Sequence, residues 1–162
     1  MTGKFAYTKE VIDDVSLIKL MGTIDEDCYL IDVFTDTLNK IAIDLSGIIR
    51  INSCGIRTWV NVIGQITQNH NVIFIECSPV IIRQFNMIAN FGGKGVVQSF
   101  HLPYFCERCN KEFVFKAETR EFLSRPLPMK ATIFACPDCK GALEFDDIEA
   151  KYFNFIMQYR SL

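Results

Sequence analysis

The stretch Ile41-Ala-Ile-Asp44-Leu45-Ser46-Gly47-Ile-Ile-Arg50-Ile51-Asn52-Ser53-Cys54-Gly55-Ile56-Arg57-Thr-Trp59-Val60-Asn-Val-Ile63-Gly64 decides how the rest of the chain is read. Ile41 to Leu45 is a short apolar run rich in β-branched residues, which suits a buried strand. Ser46 to Asn52 reads as a connection. From Ser53 onward, Ile56, Val60 and Ile63 recur at helical spacing, so a helix begins there with Ser53 as its cap. A parallel strand that feeds a helix presents functional groups at the strand's carboxyl end, beside the unpaired N–H groups of the helix N-terminus. Asn52, Ser53, Cys54 and Gly55 occupy that corner.

Elements can be read outward from this unit. Phe5–Ile12 and Val15–Met21 predict two strands joined in a hairpin at Asp13-Asp14. Thr23-Ile24-Asp25-Glu26 has the capping-box form. It predicts a first helix running to about Leu38, with Leu30, Phe34 and Leu38 on one face and Asp27, Asp32 and Asp36 on a solvated one. After the central helix, which ends near Gln68, Asn69-His70-Asn71 is a turn and Val72–Cys77 a second buried strand. Ser78-Pro79 opens a third helix, with Pro at its first position, carrying Val80, Ile81, Phe85, Met87 and Ile88. Phe91-Gly92-Gly93-Lys94-Gly95 stops it; lacking the Lys-Ser/Thr of a P-loop and following a helix, this run is a turn and not a phosphate cradle. Val96–Phe100 is a last strand. The alternation is that of an α/β domain with a mixed sheet.

Asp44-Leu45-Ser46-Gly47, followed by Ile51-Asn52-Ser53-Cys54-Gly55-Ile56, resembles the signature of the STAS domain, the fold of anti-sigma-factor antagonists and related bacterial signalling modules. The resemblance covers roughly residues 5–100. In the antagonists the corner usually reads Asp-Ser-Ser/Thr-Gly-Leu, and its first serine is phosphorylated; Ser53 matches that serine, with Asn52 in place of the Asp and Cys54 in place of the second Ser or Thr. Gly22-Thr23-Ile24-Asp25-Glu26 also resembles a divergent STAS branch that carries a C-terminal cysteine module. The resemblance implies reversible binding of a regulatory protein, of which an anti-sigma-type serine kinase is the family example, with phosphorylation at Ser53 as the switch. The expected contact surface is Asn52, Ser53, Cys54, Gly55, Arg57 and Trp59, with Trp59 read either as a packed residue at the helix edge or as an exposed hot spot.

From His101 the texture changes. Cys106-x2-Cys109 and Cys136-x2-Cys139 are separated by twenty-six residues. Each pair puts two thiolates on one tight turn, and two such turns close a tetrahedral site with Zn–S bonds of about 2.3 Å. Pro137 and Gly141 suit the second turn; the first lacks that Gly, and Asn110 can take the left-handed conformation instead. Structural Zn2+ held by Cys106, Cys109, Cys136 and Cys139 is the expectation, against free thiols, a redox disulfide or iron. Four fixed ligands leave no open position for catalysis. A segment of about 45 residues buries too little apolar surface to fold securely alone, so a metal suits it. Ile148, Tyr152, Phe155, Ile156 and Tyr159 predict a C-terminal amphipathic helix from Asp146 or Asp147, which either covers the core or forms a homodimer contact. The expected organisation is a STAS-like α/β domain over 1–100, a zinc ribbon over 101–146 and a helix over 147–162.

The 162 residues carry a net charge of −2, and residues 103–146 hold seven Lys/Arg against seven Asp/Glu. Neither balance supplies the clustered positive charge that nucleic acid or anionic lipid needs. No run approaches the roughly 18 apolar residues of a membrane span, and Met-Thr-Gly-Lys-Phe has no signal-peptide pattern. A cytoplasmic setting follows as the expectation, where seven cysteines favour metal or free thiols. Cys28 and Cys77 read as buried small hydrophobes. Cys54, at a helix N-terminus, is the one thiol with nucleophilic promise, but only His70 and His101 are available as bases. No catalytic residues are assigned, and the function is read as non-enzymatic. Beside the phosphorylated switch stand two other readings: a constitutive scaffold in a signalling assembly without phosphorylation, and a thiol redox enzyme using Cys54.

Overall fold

In the computed structural model, which describes residues 3–160, the chain builds a five-stranded mixed sheet and a three-stranded antiparallel sheet. The first strands, β1 (Ala6–Ile12) and β2 (Val15–Ile24), form the expected hairpin. Asp13 and Asp14 both lie at positive φ, 47° and 62°, the geometry whose twist matches a two-residue hairpin. β2 alternates along its length, burying Ile18, Leu20 and Ile24, whereas β1 is exposed throughout as the sheet edge.

The central strand β3 (Lys40–Ile51) buries Ile41, Ile43, Leu45 and Ile48. It pairs in parallel with β2 along nearly its full length. Residues 46–51 are therefore strand, not the expected connection: Gly47, Ile48, Arg50 and Ile51 pair with Met21, Gly22, Thr23 and Ile24 across two register shifts. Gly22, at φ 86°, sits at one of these shifts, and its missing Cβ leaves room for the Lys4 carbonyl, which a Cβ would approach to 2.3 Å.

The same extension of β2 overturns the predicted first helix. Thr23 and Glu26 form no capping box, because Thr23 is strand and its N–H bonds to the Gly3 carbonyl at 3.0 Å. The helix shrinks to α1 (Leu30–Val33). Leu30 and Phe34 are buried as expected, but Leu38 is exposed, since the chain has left helical geometry by Asp36, at φ 54°.

Helix α2 (Ser53–Asn69), strand β4 (Asn71–Ile75) and helix α3 (Pro79–Met87) follow the sequence reading closely. α3 buries Ile81 and Ile82; Met87 is exposed. The Phe91–Gly95 segment is the expected turn, with Gly93 at φ 55°. The predicted last strand divides in two. β5 (Val96–Val97) completes the first sheet, in the order β1-β2-β3-β4-β5, and β6 (Ser99–Cys106) begins the second.

The second sheet is ordered β7-β6-β8, with β7 (Lys111–Glu118) and β8 (Glu144–Phe145) flanking β6. β7 leads into α4 (Thr119–Phe122). Thr132–Ala135 is irregular apart from one bridge, Ala135 to Ala142. The two sheets are stitched at the carboxyl end of β4. Cys77 bridges Phe100 in parallel, its N–H bonding to the Ser99 carbonyl at 3.1 Å and its carbonyl accepting from the His101 N–H at 2.9 Å.

The C-terminal helix is broken into α5 (Glu149–Tyr152) and α6 (Asn154–Met157). Tyr152, Phe153, Phe155 and Ile156 are all buried, while Ile148 is exposed. The break falls at Phe153, whose ring stacks on Phe122, 5.1 Å away. Of the two readings of this aromatic stripe, core cover is the one seen: Tyr152, Phe155 and Ile156 are buried within the chain. One buried cluster runs from Ile18 to Ile156 through both sheets.

Candidate functional site

β6 and β7 pair in register up to Cys106 and Lys111, so the turn between them is the first cysteine knuckle. The Cys109 N–H bonds to Cys106 Sγ at 3.4 Å, and Asn110 takes the expected left-handed conformation at φ 54°. The second knuckle closes through Cys136 N–H to the Gly141 carbonyl at 2.7 Å and Lys140 N–H to the Cys136 carbonyl at 2.9 Å. Here Lys140, not Gly141, is left-handed, at φ 61°. Gly141 serves by closeness instead: a Cβ there would lie 3.3 Å from Cys139 Sγ. An ion pair from Lys111 to Asp138, 2.6 Å long, ties one knuckle to the other.

All four Sγ atoms lie within 4.8 Å of one another. Cys106 and Cys139 are 3.6 Å apart, and Cys109 and Cys136 3.8 Å. Disulfide sulfurs bond at about 2.05 Å, so these are four free thiols. Zn–S bonds of about 2.3 Å place tetrahedral sulfurs about 3.8 Å apart, close to the spacing of these two pairs. The thiols divide their protons unequally. A backbone hydrogen bond from Gly141, reinforced by the neighbouring thiols, lowers Cys139 to about 7. Its bonding to Cys139 pushes Cys109 up to about 12. Four convergent sulfurs, one of them an early thiolate, could hold a metal ion, and a soft divalent cation fits such a donor set best.

The second site is the corner at the start of α2. Asn52, rather than Ser53, is the cap: its Oδ1 accepts from the Gly55 N–H at 2.8 Å. Its Nδ2 donates to Glu26 Oε2 at 2.8 Å, and that bond holds the Glu26 carboxyl below its ordinary range. Ser53 is the first helical residue, and Ser53, Cys54 and Arg57 are exposed. Gly55 and Trp59, expected at the contact surface, lie beneath it. A Cβ on Gly55 would meet the Ile24 carbonyl oxygen at 2.2 Å, so the helix rests directly on the end of β2. Trp59 is fully buried, its Nε1 donating to the Phe91 carbonyl at 2.8 Å and its ring stacked on Phe91. Of its two expected readings the packed one holds, and the exposed hot spot does not: the buried face of α2 runs through Gly55, Trp59, Val62, Ile63 and Thr67, whereas Ile56 and Val60, expected on that face, are only half-buried.

Beside the corner lies an open groove of about 1100 Å³ that sequence reasoning did not foresee. Arg50, Asn52, Glu26, Asp27, Asp32 and Tyr29 are among its walls. Its signal in the sequence is the acidic run Asp25–Asp27 next to an exposed Tyr29. The remaining cysteines are structural in placement. Cys28 Sγ donates to the Thr23 carbonyl at 3.3 Å, and burial raises its thiol; Cys77 is fully buried, and burial pushes it up strongly. His70 caps the far end of α2, about 24 Å along the axis from Cys54. His101 is engaged with Glu76 at 2.6 Å. No helix among the described residues is long and apolar enough to cross a membrane. No family model matches the chain, and no curated protein matches it either.

Proposed function

We propose that the chain is a non-enzymatic regulatory protein-binding module of STAS-like architecture, cytoplasmic, with a ribbon tied by structural zinc. The observation that carries the reading is the exposure of Ser53, Cys54 and Arg57 on the first turn of a 17-residue helix, at the carboxyl end of parallel strands. This is where open α/β sheets place their ligands. The free N–H groups and positive dipole end of α2 tolerate a phosphate on Ser53 without loss of fold. Such a group adds roughly −1.5 to −2 charges beside Arg57 and changes what the surface can bind. Zinc at Cys106, Cys109, Cys136 and Cys139 would use all four ligands and leave the metal a structural role. An enzymatic role for Cys54 lacks a base: His70 is remote and His101 is paired with Glu76.

A constitutive scaffold is the second reading, and Glu26 favours it. Its carboxylate is bonded to Asn52 next to Ser53, so a phosphate there meets a like charge. Affinity purification of the full chain from its native host, with mass spectrometry of Ser53 and of the retained proteins, separates the two. A partner lost on Arg57→Glu, together with phosphate on Ser53, supports the switch. The same partner with Ser53 never modified supports the scaffold. A partner indifferent to Arg57→Glu and to Ser53→Asp removes the corner from both.

A further inference from the structure

Both long helices pack on one face of the five-stranded sheet. Phe74 of β4 meets the rings of Trp59 from α2 and Phe85 from α3, with centroids 6.2 and 5.4 Å away. Ile18, Ile43 and Val97 flank Phe74 in the same row across the sheet, and all four are fully buried. Because side chains alternate along a strand, the register also fixes what the opposite face carries. Its central row is Glu10, Leu17, Ala42, Ile73 and Val96. Thr8, Lys19, Asp44 and Ile75 form the row on one side of it, and Ile12, Val15, Lys40 and Asn71 the row on the other. Val15, Leu17, Ile73 and Ile75 are half-buried, and Ile12 and Val96 are exposed. Among the described residues, none of these six apolar side chains belongs to the buried cluster or packs against it. Strands β2 to β5 run parallel, and parallel sheets are covered on both faces. This one is covered on one.

We propose that this open face packs against the same face of a second copy of the chain. Its charges select that occupant. Lys19 and Lys40 stand against Glu10 and Asp44, so the face carries no net charge to draw a nucleic acid, an anionic lipid or a charged partner, but it complements itself. A twofold axis along the central row lays Leu17, Ala42 and Ile73 on their own counterparts and turns each outer row onto the other. Asp44 of each copy then meets Lys40 of the other, next to the axis, while Glu10 stays in water at the rim. Five strands about 4.8 Å apart make a face roughly 20 Å across. Two copies therefore bury on the order of 1,000 Å², the low end of specific interfaces, and the dimer is expected to be reversible, with a micromolar Kd. The first turn of α2, on the helix-covered side, stays free in both copies, so the inference is independent of the Ser53 corner and of the metal centre.

The test is sedimentation equilibrium of the reduced full chain from about 1 to 300 µM, with folding of each variant checked by circular dichroism. The wild type is expected to pass from monomer to dimer within that range. Leu17→Glu puts a carboxylate on the axis and should weaken the dimer at least about tenfold. Lys40→Glu, at an exposed position, sets a carboxylate against Asp44 of the other copy and should weaken it by about tenfold. Asp44→Lys alone should do the same, by setting two cations together. Lys40→Glu mixed with Asp44→Lys should restore the dimer, because both cross-pairs are then opposite in charge. Asp44 also accepts from the Ser46 N–H at 2.9 Å; if Asp44→Lys does not fold, Leu17→Glu and Lys40→Glu decide alone. The proposal is overturned if the wild type stays monomeric throughout the range, or if its dimer is indifferent to Leu17→Glu and Lys40→Glu. It is also overturned if the two folded charge variants remain monomeric when mixed.

Discussion

Asn52 does the work of two residues. It caps α2 through Gly55 and fixes the loop after β2 through Glu26. Asn52→Ala should cost about 1 kcal/mol, the usual worth of a cap, read from urea denaturation. Asn52→Asp should keep the bond to Gly55 yet be less stable than wild type, because it sets a carboxylate against Glu26. Gly55 and Gly64 lie in one helix and make a controlled pair. A Cβ at Gly55 meets backbone at 2.2 Å, while one at Gly64 meets nothing within 4 Å. Gly55→Ala should therefore destabilise by about 1–3 kcal/mol, and Gly64→Ala should stabilise by up to about 1 kcal/mol; the same denaturation series decides both. Glu76 supplies the pH dependence. Burial alone would raise its carboxyl, but Lys116 at 2.7 Å and His101 at 2.6 Å outweigh burial and hold it below the ordinary value. A depressed carboxyl contributes stability above its unfolded pKa, about 4.3, and loses it as pH falls through the folded value. The stability difference between wild type and Glu76→Gln should be full at neutral pH and shrink in acid. A difference that stays constant would show that the pair is not linked to folding.

Periodicity made most elements legible before their ends. The hairpin, β4, α2 and α3 were readable because alternation or helical spacing and a local signal agreed: Asp13-Asp14 for the turn, Pro79 for the helix start. The misses share a cause. Thr23–Glu26 has the form of a capping box, but strand pairing with β3 claims Thr23 and Ile24, and local sequence carries no record of that non-local partner. The strand continuing through Ser46–Ile51 was hidden for the same reason. Of the two readings of Trp59 the packed one holds, because its ring lies between Phe74 of β4 and the Phe91 turn, contacts that periodicity does not record. The cysteine knuckles were legible to the residue, since their spacing is itself the signal; their proposed ion is where element and chemistry meet. One zinc per chain is expected by elemental analysis of the reduced protein. Binding to such sites is worth on the order of 10 kcal/mol, so Cys136→Ser should lower the melting temperature sharply. Metal-free protein with wild-type stability would refute the assignment.

Across the whole molecule, the boundary drawn in the sequence near residue 100 falls within the one buried cluster. Phe100 packs against Phe122, Phe153 and Phe155, with ring centroids 5.1 to 6.4 Å apart. It thereby joins the start of β6 to α4 and to the C-terminal turns. Asn86 of α3 reinforces the join, donating to the Tyr152 carbonyl at 2.9 Å and accepting from the Phe155 N–H at 2.8 Å. Calorimetry should therefore show one cooperative unfolding transition, shifted down by a strong chelator; two separate transitions would mean that the sheets melt independently. Such a body presents the first turn of α2 as a fixed surface, and its use is open to direct test. The partner retained from the native host is titrated against wild type, Ser53→Ala and Ser53→Asp, with folding checked by circular dichroism. A partner-binding switch at this corner predicts that all three fold, that Ser53→Ala binds as wild type does, and that Ser53→Asp loses about tenfold or more in affinity. Full binding by Ser53→Asp, with no phosphate on Ser53 in protein from the native host, would contradict it.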